Sequence, residues 1–170
     1  AAAITSAARI DALVFVHGFD IPLDRTEQRR MVSARLREAA AALGKPLVEV
    51  ETDARSFTDG FVGWVLYHGS FLAAMGHALK GGFRRFLYPP TDPPSGGMSF
   101  GSHPGLDPLW STEVAEFEHD AVGTLRVQRL AAMARHPVFN AHLRLCYKTK
   151  DGEYNCGRCD KCRRTRMYLR

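Results

Sequence analysis

Leu13-Val14-Phe15-Val16 is a short, β-rich apolar run, and it predicts a buried strand. The strand gives way to His17-Gly18-Phe19-Asp20, and Pro22 stops further regular pairing. Asp24 with Glu27 three residues later makes a capping-box pattern, which predicts a helix start. Met31, Val32, Leu36, Ala39, Ala40 and Leu43 then recur at helical spacing until Gly44 and Pro46 close the helix. Leu47 to Val50 reads as a second strand. A helical stretch from roughly Phe61 to Lys80 is interrupted near His68-Gly69-Ser70 and ended by Gly81-Gly82, and Phe86-Leu87-Tyr88 is a third strand ahead of Pro89-Pro90. From Pro89 to Ser111 the chain is rich in Pro, Gly and Ser and has little periodicity, and loops of that length usually carry function. A helix is expected from about Thr124 to Arg135, ending before Pro137, and another after the cysteines.

Strands alternating with helices predict an α/β fold, a parallel sheet sandwiched by helices. Ligands of such sheets collect at the carboxyl ends of the strands. By that rule His17 to Asp20, Thr52-Asp53 and Thr91-Asp92 face one common cleft. The pattern changes near Leu145, so residues 1–145 are expected to form the α/β domain and 146–170 a cysteine knuckle with a C-terminal helix.

Composition changes this picture little. The 170 residues are 45% hydrophobic and 24% charged, ordinary for one globular domain. No apolar run approaches the ~20 residues of a membrane span. Residues 1–10 lack the basic start and apolar stretch of a signal peptide, so no membrane association and a cytoplasmic location are expected. The formal charge of +5 matters more, because it is uneven: Arg158, Lys161, Arg163, Arg164, Arg166 and Arg170 crowd the last thirteen residues. A basic tail attracts phosphate-rich partners, or is simply a solvated helix face.

The most specific signal is the spacing Cys146-x9-Cys156-x2-Cys159-x2-Cys162. Three cysteines at two-residue intervals can wrap their sulfurs around one point, and the fourth arrives across a short loop containing Asp151-Gly152. Gly157 suits the tight turn between them. Four thiolates in tetrahedral array suit zinc. An iron–sulfur cluster also uses closely spaced cysteines, and two disulfides would fit an exported protein. A four-cysteine zinc leaves no open coordination position and is structural.

The run Asn155-Cys156-Gly157-Arg158-Cys159-Asp160-Lys161-Cys162-Arg163-Arg164-Thr165, preceded by Cys146, resembles the zinc knuckle of 7-cyano-7-deazaguanine synthase-like proteins. These are PP-loop ATP pyrophosphatases, the adenine nucleotide α-hydrolase-like group related to the synthetase domain of asparagine synthetase. The segment Gly101-Ser102-His103-Pro104-Gly105-Leu106-Asp107-Pro108-Leu109-Trp110-Ser111-Thr112-Glu113 is similar to the same group. So is Leu13 to Asp20, which resembles its second strand and adenine-side loop. The resemblance implies a HUP/Rossmann-like fold and ATP and Mg²⁺ as cofactors. It also implies adenylation of a carboxylate or carbonyl oxygen, pyrophosphate release, and attack by a nitrogen or sulfur nucleophile. The partners expected are ATP, a small acid substrate and a second copy of the chain as homodimer. The group's phosphate loop, Ser-Gly-Gly-x-Asp-Ser, should precede Leu13. Only Ala1 to Asp11 stand there, and Ser95-Gly96-Gly97-Met98-Ser99 has a partial likeness without the Asp. The expectation is therefore that a segment at or near the N-terminus is missing from the sequence.

Within that frame His17, Gly18, Phe19 and Asp20 are candidate cofactor contacts at a strand end, Phe19 as a stacking partner for adenine. The alternative is a turn whose Asp caps the backbone and whose Phe is core. His68, Gly69 and Ser70 are a second set, as a helix start whose amides favour anions, or Ser70 is an N-cap. His103, Asp107 and Arg126 are candidate catalytic groups. Asp92, Trp110, Ser111, Thr112 and Glu113 are candidate substrate contacts, since polar loops over a cleft commonly carry function. Arg126 and Arg129, three apart, share a helix face and could clamp phosphate, or are part of an exposed amphipathic helix. His77, His119, His136 and His142 are dispersed and receive no role. Two other readings stand beside the adenylating enzyme: a zinc-containing nucleic-acid-binding protein, and a degenerate scaffold without catalysis.

Overall fold

The computed structural model describes residues 2–89, 101–120, 122–146, 149 and 152–169. Their contacts group into two compact units, one of Ala3–Arg55 with Val127–Arg170, the other of Ser56–Arg126.

In the first unit, strand β1 (Leu13–His17), helix α1 (Thr26–Ala42) and strand β2 (Leu47–Glu51) form a β-α-β unit with parallel pairing, Leu13 opposite Leu47 and His17 opposite Glu51. Both strands were legible as apolar runs. The helix turns its predicted apolar set inward: Val32 and Ala40 are buried, and Met31, Leu36, Ala39 and Leu43 half-buried. The expected capping box does not form. The helix begins at Thr26, after a turn in which the Arg25 and Thr26 amides donate to the carbonyls of Pro22 and Asp24, and no side chain caps it. Its end is as predicted. Gly44 takes φ +64° and the Lys45 amide returns to the Ala40 carbonyl.

Gly18 turns the chain away from β1. It has φ +96°, its amide donates to the Ile21 carbonyl at 3.0 Å, and a Cβ there would collide with the Thr52 carbonyl oxygen. A left-handed residue pressed on backbone tolerates no side chain. Gly18→Ala is therefore expected to lower stability by about 1–3 kcal/mol, read as a shift in the urea midpoint at unchanged m-value.

The rest of this unit holds further helices and the cysteine segment. Helix α2 in the second unit spans His68–Leu79; back in the first, α3 (Arg126–Met133) and α4 (Pro137–His142) pack Leu130, Met133 and Phe139 together with Ile4 and Leu143. Pro137, expected as a terminator, opens α4, since proline suits a first helical turn. Helix α5 (Asp160–Tyr168) follows the cysteines.

In the second unit α2 lies with strands β3 (Arg85–Tyr88) and β4 (Glu116–His119), which pair in parallel from Arg85–Glu116 to Tyr88–His119. Ala73, Tyr88, Ala115 and Phe117 are its core, with Leu72 and Phe86 packed on them. The fold is thus α/β with two two-stranded parallel sheets, β1–β2 and β3–β4, among the described residues. Strand β4 was not predicted. The helix expected over Phe61–Lys80 is shorter, with a single turn at Ala54–Thr58 and a 3-10 turn at Trp64–Leu66 ahead of it. No helix among the described residues is long and apolar enough to cross a membrane.

Candidate functional site

The cysteines converge. The sulfurs of Cys146, Cys156, Cys159 and Cys162 all lie within 4.8 Å of one another. Cys146 Sγ is 3.2 Å from Cys156 Sγ and 3.7 Å from Cys159 Sγ. These separations exceed a covalent S–S bond of about 2.0 Å. They approach the edge of about 3.8 Å that a tetrahedron with ~2.3 Å zinc–sulfur bonds would have. All four are free thiols, Cys146 and Cys162 buried.

Local chemistry builds the cluster. Gly157 takes φ +69°, which turns the chain so that the Cys159 amide points at Cys156 Sγ, 3.4 Å away. The Asn155 side chain clamps the other arm, its Oδ1 accepting from the amides of Leu145 and Cys146 and its Nδ2 donating to the Leu143 carbonyl. Tyr154 donates its phenol to the His142 carbonyl at 3.0 Å. Cys162 sits in the first turn of α5, with Cys159 as the residue before that helix. The hydrogen bond from Cys146, with amide donors from Arg158 and Cys159, holds the Cys156 thiol down to about 6. Burial, reinforced by Cys159, pushes Cys162 up to about 12. Such a set could hold a metal ion such as zinc, and every donor atom is sulfur.

At the carboxyl end of β1 the structure places a different cluster. His17 is buried, and its Nε2 lies 2.8 Å from Glu49 Oε2, with Ser33 Oγ donating to the same oxygen at 2.5 Å. Arg37 pairs with the other Glu49 oxygen at 2.5 Å, and Arg29 pairs with Glu51. Arg29, Ser33 and Arg37 recur every four residues on one face of α1, matching Glu49 and Glu51 two apart on β2. They line a cleft of about 300 Å³ together with His17, Thr26 and Arg30. Burial raises the Glu49 carboxyl, but hydrogen bonds from Ser33, His17 and Arg37 and the charge of Arg37 outweigh it, leaving it below its ordinary 4.5. A carboxyl lowered by folding stabilises the native state above the unfolded value and loses that contribution as pH falls through the folded one. Glu49→Gln should thus be less stable than the wild type at neutral pH, with the gap closing below about pH 4.5 in a urea-midpoint series. A constant gap at every pH would contradict this.

The other cofactor candidates near β1 follow Gly18 in the turn. Phe19 is half-buried and its carbonyl accepts from Arg55, while Asp20 is exposed. At α2, His68 is half-buried with its Nδ1 3.2 Å from the Val65 carbonyl, and the Gly69 amide donates to the Gly101 carbonyl at 3.0 Å. Ser70 is not an N-cap: its hydroxyl donates back to the Tyr67 carbonyl at 2.7 Å.

The segment after Gly101 separates the predicted catalytic groups. His103 is exposed and its Nδ1 accepts from the Gly105 amide, closing a local turn. Asp107 is fully buried. Its Oδ2 accepts from Ser102 Oγ at 2.6 Å and meets His119 Nε2, while Ser102 Oγ and His119 Nε2 stand 3.4 Å apart. Ser102 and His119 were not singled out by sequence, yet both are buried with Asp107. Tyr88, opposite His119 in the sheet, lies edge-on to its ring at 6.0 Å, and burial and then the Asp107 charge raise its phenol. The knot therefore lies at the carboxyl ends of β3 and β4.

Trp110, Ser111, Thr112 and Glu113 are exposed beside it. The Trp110 carbonyl lies 3.0 Å from His77 Nε2, and Ser111 Oγ accepts the Phe117 amide at 3.0 Å. Arg126 and Arg129 are half-buried on α3. Asp92 and the Ser95–Ser99 run lie outside the described residues. No family model, curated protein or solved structure matches the chain.

Proposed function

We propose that this chain is the scaffold of an ATP-dependent adenylating synthetase of the PP-loop type, with a HUP/Rossmann-like sheet and a structural zinc. It activates a carboxylate or carbonyl oxygen as an AMP ester for a nitrogen or sulfur nucleophile. The observation that carries this reading is the β1–α1–β2 unit, whose carboxyl end opens at His17 on a cleft with three arginines. Parallel β-α-β units bind ligands at that end. Guanidinium forks match phosphate oxygens, and Arg29 and Arg37 are already oriented by Glu51 and Glu49. The likeness of Leu13–Asp20 and of the cysteine run to PP-loop enzymes points the same way. The four cysteines fit zinc by donor type and by separation, and would hold the knuckle closed while taking no part in the reaction.

Calorimetry with Mg²⁺-ATP and a pyrophosphate-release assay over a panel of small acids test this. Saturable Mg²⁺-dependent binding in the range up to about millimolar, weakened by Arg29→Gln, is the expected result. Neither binding nor pyrophosphate release from the zinc-loaded full-length gene product would sink the reading.

A further inference from the structure

Helix α5 has a composition that its fold does not explain. It turns only Cys162 and Thr165 inward, and its other residues are exposed. Those exposed positions carry Lys161, Arg163, Arg164 and Arg166 against one acid, Asp160, a net of +3 from four cations less one anion over nine residues. Lys161 with Arg164 and Arg163 with Arg166 are like charges three apart, an arrangement that weakens an isolated helix. At the far end Met167, Tyr168 and Leu169 are also exposed, at 72%, 46% and 39%. A helix face that is merely solvated has no use for an aromatic and two large apolar side chains beside its arginines. Asp160, Arg163, Arg164 and Met167 border a groove of about 370 Å³.

We infer that this zinc-pinned helix docks single-stranded nucleic acid, with Arg163 and Arg164 on backbone phosphates and Tyr168 stacking on a base. The inference is independent of the adenylating activity. Charge complementarity selects a polyanion, and the guanidinium fork matches phosphate oxygens bidentately. Cations beside an exposed aromatic suit a single strand, whose bases offer their faces. A membrane surface fits less well, because the apolar residues sit at one end of α5 and form no stripe along it. An acidic protein would use the cations but leave Tyr168 without a partner.

Fluorescence anisotropy of the zinc-loaded full chain with labelled single-stranded RNA and DNA oligonucleotides tests this, with an acidic peptide and anionic vesicles as competitors. Affinity should fall with salt with a log–log slope of about −2, as two to three phosphate contacts at ~0.7 each give. Arg163→Gln with Arg164→Gln should flatten that slope by more than half, since each lost phosphate contact removes about one ion's share. Tyr168→Ala should weaken binding roughly fivefold or more and leave the slope unchanged, because stacking releases no counterions. Retained zinc shows that each variant keeps its knuckle. Preference for RNA over DNA, or the reverse, identifies the source of the strand. No binding at low salt, equal capture by peptide or vesicles, or unaltered binding by both variants would overturn the inference.

Discussion

Purified protein is expected to carry close to one zinc ion per chain, and Cys162→Ser to abolish its retention. Among the described residues from Cys146 onward only Cys146, Thr149, Cys162 and Thr165 are buried, so half of the knuckle's interior is cysteine. A segment with so small an apolar interior cannot offset its chain entropy by burial alone. Apparent zinc affinities in such modules reach about 10–16 kcal/mol, so most of the local stability would be metal binding. Chelation should therefore remove protection from hydrogen exchange at the Leu145 and Cys146 amides now held by Asn155 and over α5. The β1–β2 ladder is made without any cysteine and should keep its protection. Acidification should release the metal, because the cysteine thiols must lose their protons to bind it. Elemental analysis and cobalt substitution check the assignment. A tetrahedral thiolate spectrum with cobalt supports zinc, whereas native brown absorption with iron present would make the centre an iron–sulfur cluster.

The convergence of the cysteines was legible in the sequence because their spacing is local: two intervening residues set both the turn and the sulfur positions. Strands β1 and β2 were legible for a similar reason, each being a short apolar run in a parallel β-α-β unit. Strand β4 was not, since Glu116-Phe117-Glu118-His119 shows one apolar residue among four and its burial comes from pairing with Phe86 and Tyr88 across the sheet. The capping signals misled where a backbone turn took over, as at Asp24, or where a serine bonded backwards, as at Ser70. His103 looked like chemistry beside Asp107, yet a turn points the two apart. The partner of Asp107 is His119, twelve residues on and invisible to any local pattern. The polar face joining α1 to β2 was equally hidden, because the spacing of Arg29, Ser33 and Arg37 does not say which strand they meet.

Asp107→Ala is expected to be the most damaging single substitution away from the cysteines. One carboxylate oxygen, Oδ2, satisfies both the Ser102 hydroxyl and His119 Nε2, and all three side chains are buried. Removing it strands two polar groups in the interior and opens a cavity, and breaking a buried pair of this kind costs about 3–5 kcal/mol. That is comparable with the whole stability of many domains, so the second unit should be largely unfolded at ordinary temperature. Asp107→Asn separates the possible causes. Its amide oxygen can take the place of Oδ2 and accept from both neighbours, while its NH₂ group falls at Oδ1, which has no hydrogen-bond partner among the described residues. The asparagine variant should therefore lose only about 1–3 kcal/mol, the cost of one unsatisfied buried donor. Ser102→Ala, which removes one donor and leaves His119 paired, should cost about 1 kcal/mol. Urea denaturation followed by near-UV circular dichroism reads all three, since Tyr88 packs against both His119 and Phe117. An alanine variant as stable as the asparagine variant would mean that Asp107 holds no network together, and that the Ser102–Asp107–His119 knot is an accident of packing.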